Sequence, residues 1–184
     1  MKKRFAFFLT LVMCLSLAAC GGEETTPADT NTPATNGPAV SNPGGGSWAV
    51  YWYLCGSDLE TNYGCATTDL QEMLEIKLPE NVNVVIQTGG ANVWQNEQMD
   101  ASKLQRWLYN SEGLQLIHEE AAANMGDAQT LYDFLSFANT NYPADKVAVN
   151  FWNHGGGSIS GICFDELNDM DSLSLKEVDK ALSD

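Results

Sequence analysis

KVAVNFWNHGGG, from Lys146 to Gly157, decides how this chain is read. Lys146 to Asn153 is a mostly apolar run of strand length, which predicts a buried strand. His154 stands at its carboxyl end, and three glycines follow. In sheets with parallel strands, ligands bind beyond the carboxyl ends of the strands. An imidazole there can take a proton from a thiol or hydroxyl and return it to a leaving group. The glycines let a substrate backbone approach closely, and they expose N–H groups suited to an oxyanion. The competing reading is a turn histidine with no chemistry. A lipase-type oxyanion loop is a third possibility, but no G-x-S-x-G elbow accompanies it.

Upstream of this strand, Asp127 is placed to cap a helix. Leu131, Phe134, Leu135 and Ala138 fall at helical spacing behind it, and Pro143 closes the segment. Trp48 to Cys55, WAVYWYLC, is a continuous apolar run and predicts another buried strand. Gly56-Ser57-Asp58 reads as a break. Cys65 to Ile76 reads as a helix, ended by Pro79, and Val82 to Gln87 as a second buried strand. Lys103 to His118 alternates about Ser111-Glu112-Gly113 and predicts a β-hairpin, with His118 on its second strand. Downstream, Ser174 and Glu177 form a capping box opening a final helix. Strands alternating with helices imply an α/β fold with a mainly parallel sheet plus a hairpin.

The first nineteen residues combine Lys2, Lys3 and Arg4 with an apolar stretch, the pattern of a secretory signal. Leu17-Ala18-Ala19-Cys20 resembles the bacterial lipobox, which implies cleavage before Cys20, lipidation of Cys20 and a membrane anchor. Residues 20–47 are rich in Gly, Pro, Thr and Asn and predict a flexible tether. Residues 48–184 then form one domain. The formal net charge is −15, and losing the basic signal makes it more negative. That balance argues against a nucleic-acid partner. Of five cysteines, Cys55, Cys65 and Cys163 fall in the domain, without a C-x-x-C pair, so a structural zinc site is not expected. Cys55 and Cys65 are read as buried free thiols, with a disulfide as the alternative.

The same segments resemble the clostripain family of cysteine peptidases, relatives of caspases, gingipains and legumain. WAVYWYLCGSDLE with DLQEML is similar to the family's first strand and acidic turn, and VVIQTGGA to its second strand. NMGDAQTLYDFLSFANTNYPADKVAVNFWNHGGG resembles the helix and strand that deliver its catalytic histidine, and GICFDE the segment after it. The resemblance implies a caspase-like three-layer α/β/α sandwich, a Cys-His dyad, and cleavage of protein substrates after Arg or Lys. It makes His154 the general base and the Gly155 backbone N–H part of an oxyanion hole. Gly156 and Gly157 support the same loop. Asp58 and Glu60 fall in the acidic turn with no catalytic part.

In that family the nucleophile lies on the next strand, in a segment resembling F-D-A-C. Caspase-type spacing puts it about 50 residues after the histidine, beyond Asp184. The acid that binds the substrate's Arg or Lys is expected beyond it too. The chain is therefore expected to be the histidine-bearing N-terminal part of a peptidase, either of one longer chain or with a separate heavy chain as partner. The sheet is then expected to be incomplete, with an unpaired edge on the Lys146–Asn153 strand. A lipid-anchored binding domain without catalysis is the other reading. Cys163 is considered as an internal nucleophile, and a buried structural thiol is preferred. Some family members depend on calcium, and Asp165, Glu166, Asp169 and Asp171 are the acids that could gather around it. A solvated acidic loop is preferred there, and no cofactor is expected.

Overall fold

The computed structural model describes residues 46–183. The proposed signal, Cys20 and most of the tether lie outside the described residues. Five strands form the main sheet: β1 (Trp48–Cys55), β2 (Val82–Gly89), β3 (Lys103–Asn110), β4 (Gly113–Ala121) and β5 (Lys146–Trp152). Their order is β4-β3-β2-β1-β5. β1 pairs in parallel with both β2 and β5, and β3 and β4 extend the sheet as an antiparallel hairpin. The expected α/β sheet with a hairpin is therefore the one observed.

Alternation along β1 explains why its sequence is apolar throughout. Tyr51, Tyr53 and Cys55 point into one core, with Val85, Leu104 and Leu108. Trp52 and Leu54 point into the other, with Val84, Ile86 and Trp107. A strand covered on both faces has no polar side to show. Helix α3 (Ala128–Asn141) covers the first face with Leu131, Phe134 and Ala138, and α5 (Leu175–Ser183) packs beside it. Helix α2 (Cys65–Leu74) covers the second with Ala66 and Leu70. The result is a three-layer sandwich. No helix among the described residues is long and apolar enough to cross a membrane.

Local signals set the helix ends. The Asp127 carboxylate accepts from the Gln129 N–H at 2.6 Å. Glu177 accepts from the Ser174 N–H at 2.8 Å, and the Ser174 hydroxyl accepts from the Glu177 N–H at 3.3 Å, which completes the capping box.

Three expectations need correction. The break after Cys55 is instead a helix, α1 (Ser57–Tyr63). Gly64, at φ +64°, ends α1 in the left-handed region and starts α2 at once, so two short helices hide in one polar stretch. Second, β5 is not buried as its apolar run suggests, although its open outer edge is the one expected. Lys146, Val147, Ala148 and Asn150 are exposed, while Val149, Phe151 and Trp152 are half-buried. Only β1 pairs with it among the described residues. Third, the segment after the glycines holds a short helix α4 (Gly157–Ser160), then strands β6 (Ile162–Asp165) and β7 (Asp171–Leu173), which pair antiparallel. His118 is half-exposed on β4, its ring 5.7 Å from that of Phe137.

Glu60 of α1 is fully buried. Its carboxylate accepts from the Thr67 N–H at 2.9 Å, from the Thr67 hydroxyl, and from the Gln95 N–H at 2.7 Å. One acid thus ties α1 to α2 and to the loop after β2. Glu60→Ala leaves these donors without a partner. The expected loss is roughly 2–4 kcal/mol, read as a lower urea midpoint at unchanged m-value. An unchanged midpoint would show the carboxylate to be dispensable.

Candidate functional site

Because β1 and β5 are parallel neighbours, their carboxyl ends lie side by side. The last register pair is Leu54↔Trp152. From β1 the chain runs through Gly56 into α1, which carries Asp58. From β5 it runs through Asn153 to His154. The two side chains meet at His154 Nε2 and Asp58 Oδ1, 2.8 Å apart, though 96 residues separate them. Both are partly open to solvent. The hydrogen bond from His154 holds the Asp58 carboxyl below its ordinary range, with help from Ser57.

This geometry sets the chemistry of the ring. A carboxylate only accepts hydrogen bonds, so Nε2 carries the proton that points at Asp58. In the neutral ring Nδ1 then holds the lone pair and is the atom able to take a proton. The Phe164 ring packs against the imidazole, with centroids 6.4 Å apart and planes at 76°. The loop is closed by backbone bonds from Cys163 N–H to the His154 carbonyl at 3.3 Å and from Gly156 N–H to the Gly161 carbonyl at 2.7 Å.

The three glycines differ in what the fold asks of them. A Cβ on Gly156 would press on Ser160 Cβ at 2.5 Å and Phe164 Cζ at 3.0 Å. Gly157 has φ +67°, a conformation other residues rarely adopt. Gly155 has neither constraint, for a Cβ there would meet nothing within 4 Å.

Cys163 lies close in sequence but has the wrong environment for a nucleophile. It is buried, its Sγ faces the Trp152 carbonyl at 3.9 Å, and burial pushes its thiol up to about 12. An activated cysteine needs the opposite shift. Cys55 is also buried, with its thiol donating to the Phe164 carbonyl at 3.4 Å and its pKa raised by burial. Cys55, Cys65 and Cys163 are all free thiols, so the alternative Cys55–Cys65 disulfide is not formed.

The four acids considered for calcium are not brought together. Fully buried Asp165 accepts from the Met125 N–H at 2.6 Å and the Leu167 N–H at 2.7 Å. Glu166 accepts from the Thr61 hydroxyl at 2.6 Å and the Asn92 N–H at 3.1 Å. Asp171 accepts from Asn124 and from the Ser172 N–H. Asp169 ends the turn after Glu166 in the left-handed region. Protein donors already satisfy three of these carboxylates, and no group of three or more metal-ligating side chains forms among the described residues.

The Asp58–His154 pair was not anticipated. The available signal was an acid just past the carboxyl end of one strand, while the histidine stood at the end of another.

The clostripain family's sequence model matches residues 52–184. Clostripain of Hathewaya histolytica is 33% identical over 75 residues, covering 34% of this chain and 14% of clostripain. A secreted C11 cysteine protease from Bacteroides thetaiotaomicron, solved with an irreversible peptide inhibitor, aligns with a TM-score of 0.56 at 24% identity. That alignment covers 75% of this chain and 39% of the protease. A structure of the secreted C11 protease iotapain, from the same organism, gives 0.56 at 16% identity, covering 77% and 43%. At these identities the structural likeness establishes a shared fold. The chain spans less than half the length of each of these relatives.

Two outcomes follow from the geometry. In ¹⁵N-labelled protein at neutral pH, His154 should show the Nε2–H tautomer, and Asp58→Asn should mix the two tautomers. A ring unchanged by Asp58→Asn would refute the pairing. Separately, at pH 8 a thiol with a pKa of about 12 is ionised on the order of one part in ten thousand. Among the domain cysteines, iodoacetamide should therefore modify half-exposed Cys65 well before Cys163, read by peptide mass.

Proposed function

Because the chain belongs to the clostripain family, we propose that it supplies the histidine-bearing portion of a surface-anchored cysteine endopeptidase that cleaves proteins after Arg or Lys. One observation carries this reading: His154 stands at the carboxyl edge of the parallel sheet with Nε2 held by Asp58, leaving Nδ1 as the base. His154 Nδ1 takes the thiol proton of a cysteine on a segment outside this chain. The thiolate attacks the carbonyl carbon after Arg or Lys, and the Gly155 N–H stabilises the oxyanion. The open space around Gly155, which neither packing nor backbone conformation requires, supports close approach of a substrate there. The amine then leaves with the proton from His154, and water hydrolyses the thioester.

The exposed edge of β5 fits the same reading. An unpaired strand edge is a template for another strand. A segment docked along it, from the same gene product or a heavy chain, would place its own carboxyl end beside His154. The proposed organisation is a signal over residues 1–19, lipidated Cys20 with a tether to residue 47, and the peptidase domain over residues 48–184. An envelope or extracellular site suits it, since the two structural relatives are described as secreted.

The test uses the complete gene product, assayed on peptides with Arg or Lys before the scissile bond. His154→Ala is expected to lower kcat/KM by at least about 10²-fold to 10⁴-fold. Residues 48–184 alone should show no turnover. Full activity in His154→Ala would refute the assignment, and an intact product with no peptidase activity would favour a binding role.

A further inference from the structure

The ladder between β1 and β5 ends at Leu54↔Trp152. One step further Cys55 would face Asn153, but there the backbones part. β1 continues into α1, and β5 turns into the glycine loop. A side chain makes the next bond across the gap: Asn153 Nδ2 donates to the Cys55 carbonyl at 2.9 Å. The other end of the same amide is also used, since Asn153 Oδ1 accepts from the Phe164 N–H at 2.8 Å. The partners are a carbonyl and an N–H, so only one orientation of the amide satisfies both.

These two bonds converge on His154. The Cys55 bond ties the end of β5, from which His154 projects, to the end of β1, two residues before α1 and three before Asp58. The Phe164 end holds the residue whose ring packs against the imidazole. Between them, the Cys163 N–H bonds the His154 carbonyl. Neighbouring Trp152 is held separately, its Nε1 donating to Asp69 at 2.6 Å. The end of β5 is thus pinned from both faces of the sheet, and Asn153 is the pin next to the base.

We infer that Asn153 is a positioning residue for His154: its side-chain amide replaces the missing ladder bond between β1 and β5 and aims the imidazole at Asp58. This rests on the reading of His154 as the general base. An aspartate here would keep the acceptor to Phe164 but lose the donor to the Cys55 carbonyl, and it would set a negative charge against that carbonyl. Alanine would lose both bonds.

The experiment compares wild type, Asn153→Asp and Asn153→Ala in the complete, ¹⁵N-labelled gene product, with near-UV circular dichroism as the check on folding. Two readouts are taken. In either folded variant the His154 nitrogens should move from the Nε2–H tautomer to a mixture. On an Arg or Lys peptide, kcat should fall at least tenfold while KM changes less than twofold. A folded variant that keeps both the tautomer and kcat overturns the inference. So does a loss confined to KM, or failure of both variants to fold, which would make Asn153 a stability residue only. If wild type cleaves nothing, the peptidase reading falls. The tautomer readout then decides alone, with an altered ring supporting the clamp and an unchanged ring overturning it.

Discussion

The parallel pairing of β1 with β5 is the constraint on which the site depends. It brings two carboxyl ends, far apart in sequence, to adjacent positions on one sheet edge. β1 can do this because both its faces are buried and both its edges are paired, so it has no freedom to shift register. Sliding it by one residue would turn Tyr51 and Tyr53 into the core that now holds Trp52 and Leu54. A rigid central strand therefore fixes where α1 begins, and with it where Asp58 stands relative to His154.

Acidic residues around this edge divide into two kinds. Glu60 and Asp165 are fully buried, and each organises a loop by accepting backbone N–H groups. Such carboxylates replace a hydrophobic contact where the chain must turn and backbone donors would otherwise be stranded. Asp58 and Glu166 are more open. Burial pushes Glu166 upward, but bonds from Thr61 and Asn92 outweigh it and leave its pKa lowered. Asp58 is the one of the four bonded to the histidine ring. Composition alone, with 24 acids in the chain, does not distinguish these roles.

The cysteines show how far environment outranks residue type. Cys55 and Cys163 lie near the loop that carries His154, yet burial raises both thiols and each faces a backbone carbonyl. They pack as small apolar residues do. Cys163 adopts φ +59° with its thiol buried, and the neighbouring Phe164 ring packs against His154.

Local patterns in the chain were enough for the strands β1 and β2, the hairpin, α3 behind Asp127, and α5 behind its capping box. Periodicity and capping act over a few residues, so one segment carries the whole signal. The histidine at the end of β5 was legible for the same reason. The short pieces α1, α4, β6 and β7 were not, because none is long enough to show a clear period. Nor could local pattern show how exposed β5 is, since an apolar run reads alike whether or not another layer covers it; its open edge was legible only from where the family's next strand is expected. The partners of His154 and Asn153 were out of reach for a deeper reason. Asp58 meets His154 across 96 residues, and Asn153 meets Cys55 across 98. Such contacts arise from register and crossover, which pairing between strands sets and no single segment encodes.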